Sequence, residues 1–240
     1  MSGHSKWSTI KRQKGFQDLW RGKTFTKISN AITIAVKSSG GIGDPRENPK
    51  LRLAVEAAKE ANMPKANIER AIERAKTKGA GEFQEVIYEG FGPGGVSIIV
   101  EAATDNTNRT TSEVKSLFNK YNARLGQMGS TTHLFKQTGK IEVDLMGKSI
   151  DTLFMLVADA GADDVLDEKD QAVIYTDMSR LDGIKNQLSE AGYEVLSSSI
   201  VRKPISKIEV DGQTREKIEN FVNDLEEIDD VQKVFTNAKI

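Results

Sequence analysis

The stretch KIEVDLMGKSIDTLFMLVADAGADDVLDEKDQAVIYTDMSRLDGIKNQLSEAGYEVLSSSIVR, residues 140–202, carries the clearest rhythm in the chain. It reads as strand Lys140–Asp144, helix Ser149–Ala160, strand Asp164–Asp167, strand Ala172–Thr176, helix Arg180–Gly192 and strand Glu194–Arg202. That order, βαββαβ, is the split βαβ or ferredoxin-like arrangement. Right-handed crossovers then place both helices on one face of a four-stranded antiparallel sheet. The segment is expected to form its own domain over residues 137–203.

Beyond it, Lys203-Pro204 marks a boundary, and only strand Lys207–Val210, helix Thr214–Glu226 and strand Val231–Thr236 remain. Three elements are few for an independent domain. The C-terminus is therefore expected to return to a sheet begun upstream by Glu85–Glu89 and Val96–Ala102. A helix from about Arg109 to Tyr121 and a short strand at Thr132–Phe135 complete that part. The middle domain is thus discontinuous, residues 81–136 with 204–240.

Residues 1–80 read differently. Helix Phe25–Ser38 presents Phe25, Ile28, Ile32, Ala35 and Val36 on one face. Asn48-Pro49 is a start signal, since Asn caps and Pro suits the first helical position. Leu51, Ala54, Val55 and Ala58 follow at helical spacing, then Ile68, Ala71, Ile72 and Ala75 after Pro64. Three stripes rich in Ala make a small bundle that buries little area. Residues 1–23 ahead of it read as a basic, weakly structured arm. The fold class is α+β: an N-terminal helical bundle, then a discontinuous α+β domain carrying the inserted ferredoxin-like one.

The formal net charge of −1 over 240 residues conceals a division. Residues 1–80 hold 17 Lys/Arg against 7 Asp/Glu, a net of +10, and residues 81–240 hold 17 against 28, a net of −11. Such segregation points to one end that faces a polyanion and a separate acidic body. Oppositely charged halves also attract each other, which would mask part of the basic surface. There is no cysteine, which excludes disulfides, thiolate zinc sites and a cysteine nucleophile. Met1–Ser8 has no apolar run and nothing approaches the ~18–20 apolar residues of a membrane span. A soluble, cytoplasmic protein with no membrane partner is expected.

Lys6, Lys11, Arg12, Lys14, Arg21, Lys23 and Lys27, interleaved with Trp7 and Trp20, have the composition of a nucleic-acid contact. Cations gain affinity for phosphate by counterion release, and aromatics stack on unpaired bases. The competing reading is that the rings pin the arm to the bundle. Lys50 and Arg52 sit in the first turn of their helix, where the dipole disfavours cations and a phosphate would remove the conflict; plain surface charge is the simpler account of them. Gly90-Phe-Gly-Pro-Gly-Gly95 is not a phosphate loop, because a strand follows it rather than a helix; it is a tight hairpin. In Asp105–Arg109 one of Asn106, Thr107 and Asn108 caps the next helix, and Arg109 is a candidate contact. The loop Leu125–Ser130 offers Gln127 and Met128 as a candidate partner contact. Two histidines, His4 and His133, have no acidic pair at metal spacing, and Asp163–Asp170 does not match a calcium loop. No catalytic constellation, metal site, cofactor site or small-molecule substrate is expected.

Gly3-His-Ser-Lys-Trp7, Ile10-Lys11 and Arg21-Gly-Lys23 closely resemble the opening of the YebC/PmpR family. Asn48-Pro-Lys-Leu-Arg52, Asn62-Met-Pro64, Ile68–Ile72, Tyr88–Gly95, Asp105–Thr110 and Leu125–Ser130 extend the resemblance over essentially the whole chain. The resemblance implies a non-enzymatic cytoplasmic regulator with a helical first domain and two α+β domains. It implies promoter DNA as partner, or, as in relatives that act in translation, ribosomal RNA, tRNA and the ribosome.

Overall fold

The computed structural model describes residues 4–76 and 83–239, and of residues 4–20 the backbone only. Helix α1 spans His4–Ser38, α2 Pro49–Glu60 and α3 Lys65–Lys76. The weakly structured arm expected over residues 1–23 is, from His4 onward, the first turns of α1. Lys, Arg, Gln and Trp all tolerate a helix, and Pro is absent there. What that segment lacks is an apolar stripe, which is the signal a periodicity reading depends on.

The three helices close on Ile32, Ala35, Val36, Leu51, Ala58, Met63, Ile68, Ala71 and Ala75, with Phe25, Ile28, Ala54, Val55 and Ile72 packed around them. Asn48 fixes the α1–α2 corner. Its Oδ1 accepts the Leu51 N–H at 3.0 Å, and its Nδ2 donates to the carbonyls of Ala35 (2.9 Å) and Ile42 (3.0 Å) and to Ser39 Oγ (2.7 Å). One buried amide therefore caps a helix start and satisfies a helix end together.

Two four-stranded sheets follow. The first is built from β1 (Gln84–Phe91), β2 (Ser97–Thr104), β3 (Arg124–Leu125) and β8 (Val231–Thr236), in the order β3-β1-β2-β8. The C-terminal strand thus lies beside β2. Between β1 and β2 the chain turns through Pro93–Gly95, where Gly94 has φ 71°, a conformation suited to glycine. At Gly90 a side chain would stand 2.4 Å from the Arg124 carbonyl and 2.6 Å from the Phe118 ring, so β3 approaches bare backbone. Helix α4 (Thr107–Lys120) starts at Asn106, whose Oδ1 accepts the Arg109 N–H.

The second sheet comprises β4 (Phe135–Asp144), β5 (Ala162–Glu168), β6 (Gln171–Thr176) and β7 (Glu194–Pro204), antiparallel in the order β5-β6-β4-β7. Helices α5 (Ile150–Asp159) and α6 (Leu181–Glu190) intervene, and Ile141, Val143, Leu153, Val157, Ile174, Ile184 and Leu188 form the core. The strand expected at Thr132–Phe135 is a 3-10 turn over Thr132–Leu134 leading into β4. The one expected at Lys207–Val210 reduces to a single parallel bridge, Ile208 to Ala238. Helix α7 spans Gly212–Glu226. The chain clusters into two compact units, one of residues 1–87, 100–117 and 221–234, the other of residues 88–99, 118–220 and 235–240. No helix among the described residues is long and apolar enough to cross a membrane.

Candidate nucleic-acid interface

Seven of the expected contact cations, Lys6, Lys11, Arg12, Lys14, Arg21, Lys23 and Lys27, ride on the single helix α1. The side chains of Lys6, Trp7, Lys11, Arg12, Lys14 and Trp20 lie outside the described residues. Arg21 is exposed. Lys23 and Lys27, two and six residues further on, meet the acidic end of α7: the Lys23 ammonium pairs with the Glu227 carboxylate, and Lys27 donates to the Glu226 carbonyl. The hydrogen bond from Lys23 to Glu227 raises the lysine pKa. Burial lowers that of Lys27, against the pull of Glu226, Glu227 and Asp229. Burial likewise raises the Glu226 carboxyl, which Lys27 opposes. A lysine on the last carbonyls of α7 also complements the negative end of that helix.

Lys50 is exposed, 3.7 Å from Glu85, and Arg52 is half-buried. Two cations that the sequence reading passed over stand closer to α1. Arg70 and Arg74, one turn apart on α3, line a cleft of about 570 Å³ with Phe25, Ser29, Asn30 and Asn67. Their i, i+4 spacing was the available signal. A second cleft of about 890 Å³ shares Thr26, Asn30 and Arg74 with the first and adds Lys23, but is otherwise dominated by Asp105, Glu113, Asp224, Glu227, Asp229 and Asp230. The polyanion-like wall of this unit is therefore its own acidic segment.

Arg109 stands at the rim of that second cleft. Its guanidinium reaches Asp230 at 2.7 Å and Asp105 at 3.1 Å. Asp230 also accepts from the hydroxyls of Thr110 (2.7 Å) and Thr104 (3.0 Å). Burial opposes the Asp230 charge, but Thr110, Arg109 and Thr104 together hold its pKa below the ordinary value. The arrangement ties the start of α4 to the segment entering β8.

Gln127 and Met128 are exposed, Met128 at 89%. Beneath them lies Glu89, which the sequence marks only as part of the Tyr88–Gly95 stretch and not as a candidate contact. Its Oε1 accepts the Gly129 N–H and its Oε2 those of Thr131 and Thr132, each at 2.7 Å. Burial opposes the charge, yet these donors bring the Glu89 pKa down to about 2. His133 is exposed with Nδ1 3.3 Å from the Gly129 carbonyl. Among the described residues no cluster of three or more His, Cys, Asp or Glu is arranged to hold a metal.

Two family descriptions cover nearly the entire chain: the TACO1/YebC N-terminal domain over residues 5–78, and the TACO1/YebC second and third domain over residues 83–238. The chain belongs to the TACO1/YebC family. It is 44% identical over 247 residues to a protein of Geobacter sulfurreducens named "Probable transcriptional regulatory protein", covering 100% of this chain and 96% of the relative. A relative from Thermotoga maritima with the same name is 44% identical over 242 residues, covering 100% and 94%. The crystal structure of a conserved hypothetical protein from Aquifex aeolicus superposes with a TM-score of 0.84 at 42% identity, over 92% of this chain and 90% of that one. This TACO1/YebC member therefore shares its fold, as well as its sequence, with proteins of like length.

Proposed function

We propose that this TACO1/YebC protein is a non-enzymatic regulator of gene expression that binds nucleic acid, acting on promoter DNA as a transcriptional regulator in the cytoplasm. The observation that carries the reading is the run of cations along one helix. From Lys6 to Lys27 the rise of 1.5 Å per residue gives roughly 32 Å, about the length of nine base pairs at ~3.4 Å each. An α-helix fits the major groove of B-form DNA. Since the chain has no helix-turn-helix signature, backbone phosphates supply most of the affinity. The regulatory names of the relatives speak for transcription. Nothing among the described residues favours ribosomal RNA or tRNA over DNA.

The contact set proposed is Lys6, Trp7, Lys11, Arg12, Lys14 and Arg21, with Lys50 and Arg52 at its edge. Lys23 and Lys27 contribute once the α7 segment yields them. In the domain division proposed with it, residues 1–80 are the nucleic-acid module. Residues 81–136 with 204–240 form a discontinuous α+β domain, for which the pairing of β8 with β2 speaks. Residues 137–203 form a ferredoxin-like insertion, supported by the strand order β5-β6-β4-β7 with α5 and α6 between.

The test is charge reversal of Lys11, Arg12 and Lys14 to Glu in the full chain. Duplex DNA binding should fall by on the order of 100-fold at low salt, and the dependence of log affinity on log salt should flatten by about 3. The unfolding transition should not move. Unchanged affinity in a folded variant would sink the assignment.

A further inference from the structure

The loop over residues 126–130 presents an apolar side chain to solvent from an unusually fixed backbone. Met128 is 89% exposed and adds nothing to the core. A glycine-bearing loop is easily left loose, yet this one is held at four points. The Glu89 carboxylate takes the N–H groups of Gly129, Thr131 and Thr132, and the Glu89 carbonyl takes that of Gly126 at 2.7 Å. Gly126 itself has no room for a side chain, because a Cβ would stand 2.4 Å from Ser130 Oγ. Presenting a thioether on a pre-ordered loop lowers the entropy cost of contacting a partner.

The surroundings indicate which partner. At the neighbouring edge, β1 and β3 set Phe91 directly opposite Arg124. The ring is 37% exposed and the arginine is exposed too. From Val114 to Ile141 the sequence has five Lys/Arg and no Asp/Glu, although residues 81–240 net −11. Of those five, Lys136 and Lys140 pair with Asp163 and Glu142. Lys120 and Arg124 come shortly before the loop in the sequence, with the Lys120 ammonium over the Tyr121 ring at 5.1 Å. An exposed ring beside a guanidinium suits stacking on bases. Methionine is among the side chains that nucleic-acid-binding proteins insert between base steps.

We propose that Met128, Phe91 and Arg124 form a second nucleic-acid contact, in which the thioether wedges against an unstacked base while the ring and the guanidinium stack on its neighbours. The proposal rests on the nucleic-acid reading above and extends it from phosphates to bases. The chemistry recognised, an exposed base face, is common to DNA and RNA.

The test uses the full chain with three oligonucleotides carrying 2-aminopurine: duplex DNA, single-stranded DNA and single-stranded RNA. Wild-type protein should change the 2-aminopurine fluorescence of at least one, and the responding arm identifies the source. Met128→Ala should abolish that change with a loss of affinity under about 10-fold, and Met128→Leu should retain it. Phe91→Ala and Arg124→Glu should each weaken binding by ~5-fold or more, as expected for a lost stack. If all three variants match wild type while Lys11, Arg12 and Lys14 to Glu loses binding, the loop contact is wrong and the functional reading stands. If wild-type protein binds none of the oligonucleotides, both fall.

Discussion

Replacing Glu89 with Gln removes one negative charge and almost no volume from a position that is 3% exposed. The carboxylate accepts three N–H groups at 2.7 Å and the Thr131 hydroxyl at 3.2 Å. An amide has one oxygen for these four donors. With that oxygen facing Thr131 and Thr132, its NH2 confronts the Gly129 N–H, leaving a donor against a donor at a cost of about 1–3 kcal/mol. The remaining bonds also lose their charge assistance. The depressed pKa of the carboxyl offers a second route to the magnitude. The carboxyl is held at about 2 against an ordinary 4.5, and ~1.4 kcal/mol per tenfold change in proton affinity makes this roughly 3 kcal/mol. Both routes give a loss of about 2–4 kcal/mol at pH 7, seen in urea as a midpoint lower by on the order of 1 M. Because the folded pKa lies below the unfolded one, this stabilisation is complete above pH 4.5 and is lost as pH falls toward 2. The wild-type and Glu89→Gln curves should therefore run parallel from pH 7 to about 5, then converge as the acid is titrated. A difference below ~0.5 kcal/mol at neutral pH, or one that fails to shrink in acid, would refute the reasoning.

Asp230→Asn should destabilise by about 2–4 kcal/mol, since Arg109, Thr104 and Thr110 lose a buried carboxylate; thermal unfolding monitored with and without salt should show a loss that added salt does not screen. Asn48→Ala removes the α2 cap and the three hydrogen bonds that the Asn48 amide donates to Ala35, Ser39 and Ile42, and a loss of about 2–3 kcal/mol is expected. Helical circular dichroism through a melt measures it, and a midpoint equal to that of wild type would contradict the corner's role.

Much of the architecture was legible from residues a few positions apart. Every apolar residue assigned to the three helical stripes, from Phe25 to Ala75, lies in the helical core or packs against it, because helical period and burial are coupled over two or three turns. Asn48 and Asn106 cap as their positions suggested. The alternation of strands and helices over 140–202 appears with boundaries shifted by a few residues. The start of α1 was not legible, since a helix without an apolar face leaves no periodic mark.

The order of elements, the helical stripes and the separation of charge into a basic beginning and an acidic remainder are properties of the sequence by itself, since each arises within a short window of chain. The tertiary structure alone decided what individual charges do. It set Lys23 and Lys27 against Glu227 and Glu226, about 200 residues later. It buried Glu89 beneath a loop some 40 residues on, and Asp230 among threonines more than 100 residues earlier. A carboxylate or an ammonium reads the same in sequence whether it is solvated or paired. Its energy depends on the distant donors and charges that folding brings within about 3 Å, and on the water that folding removes.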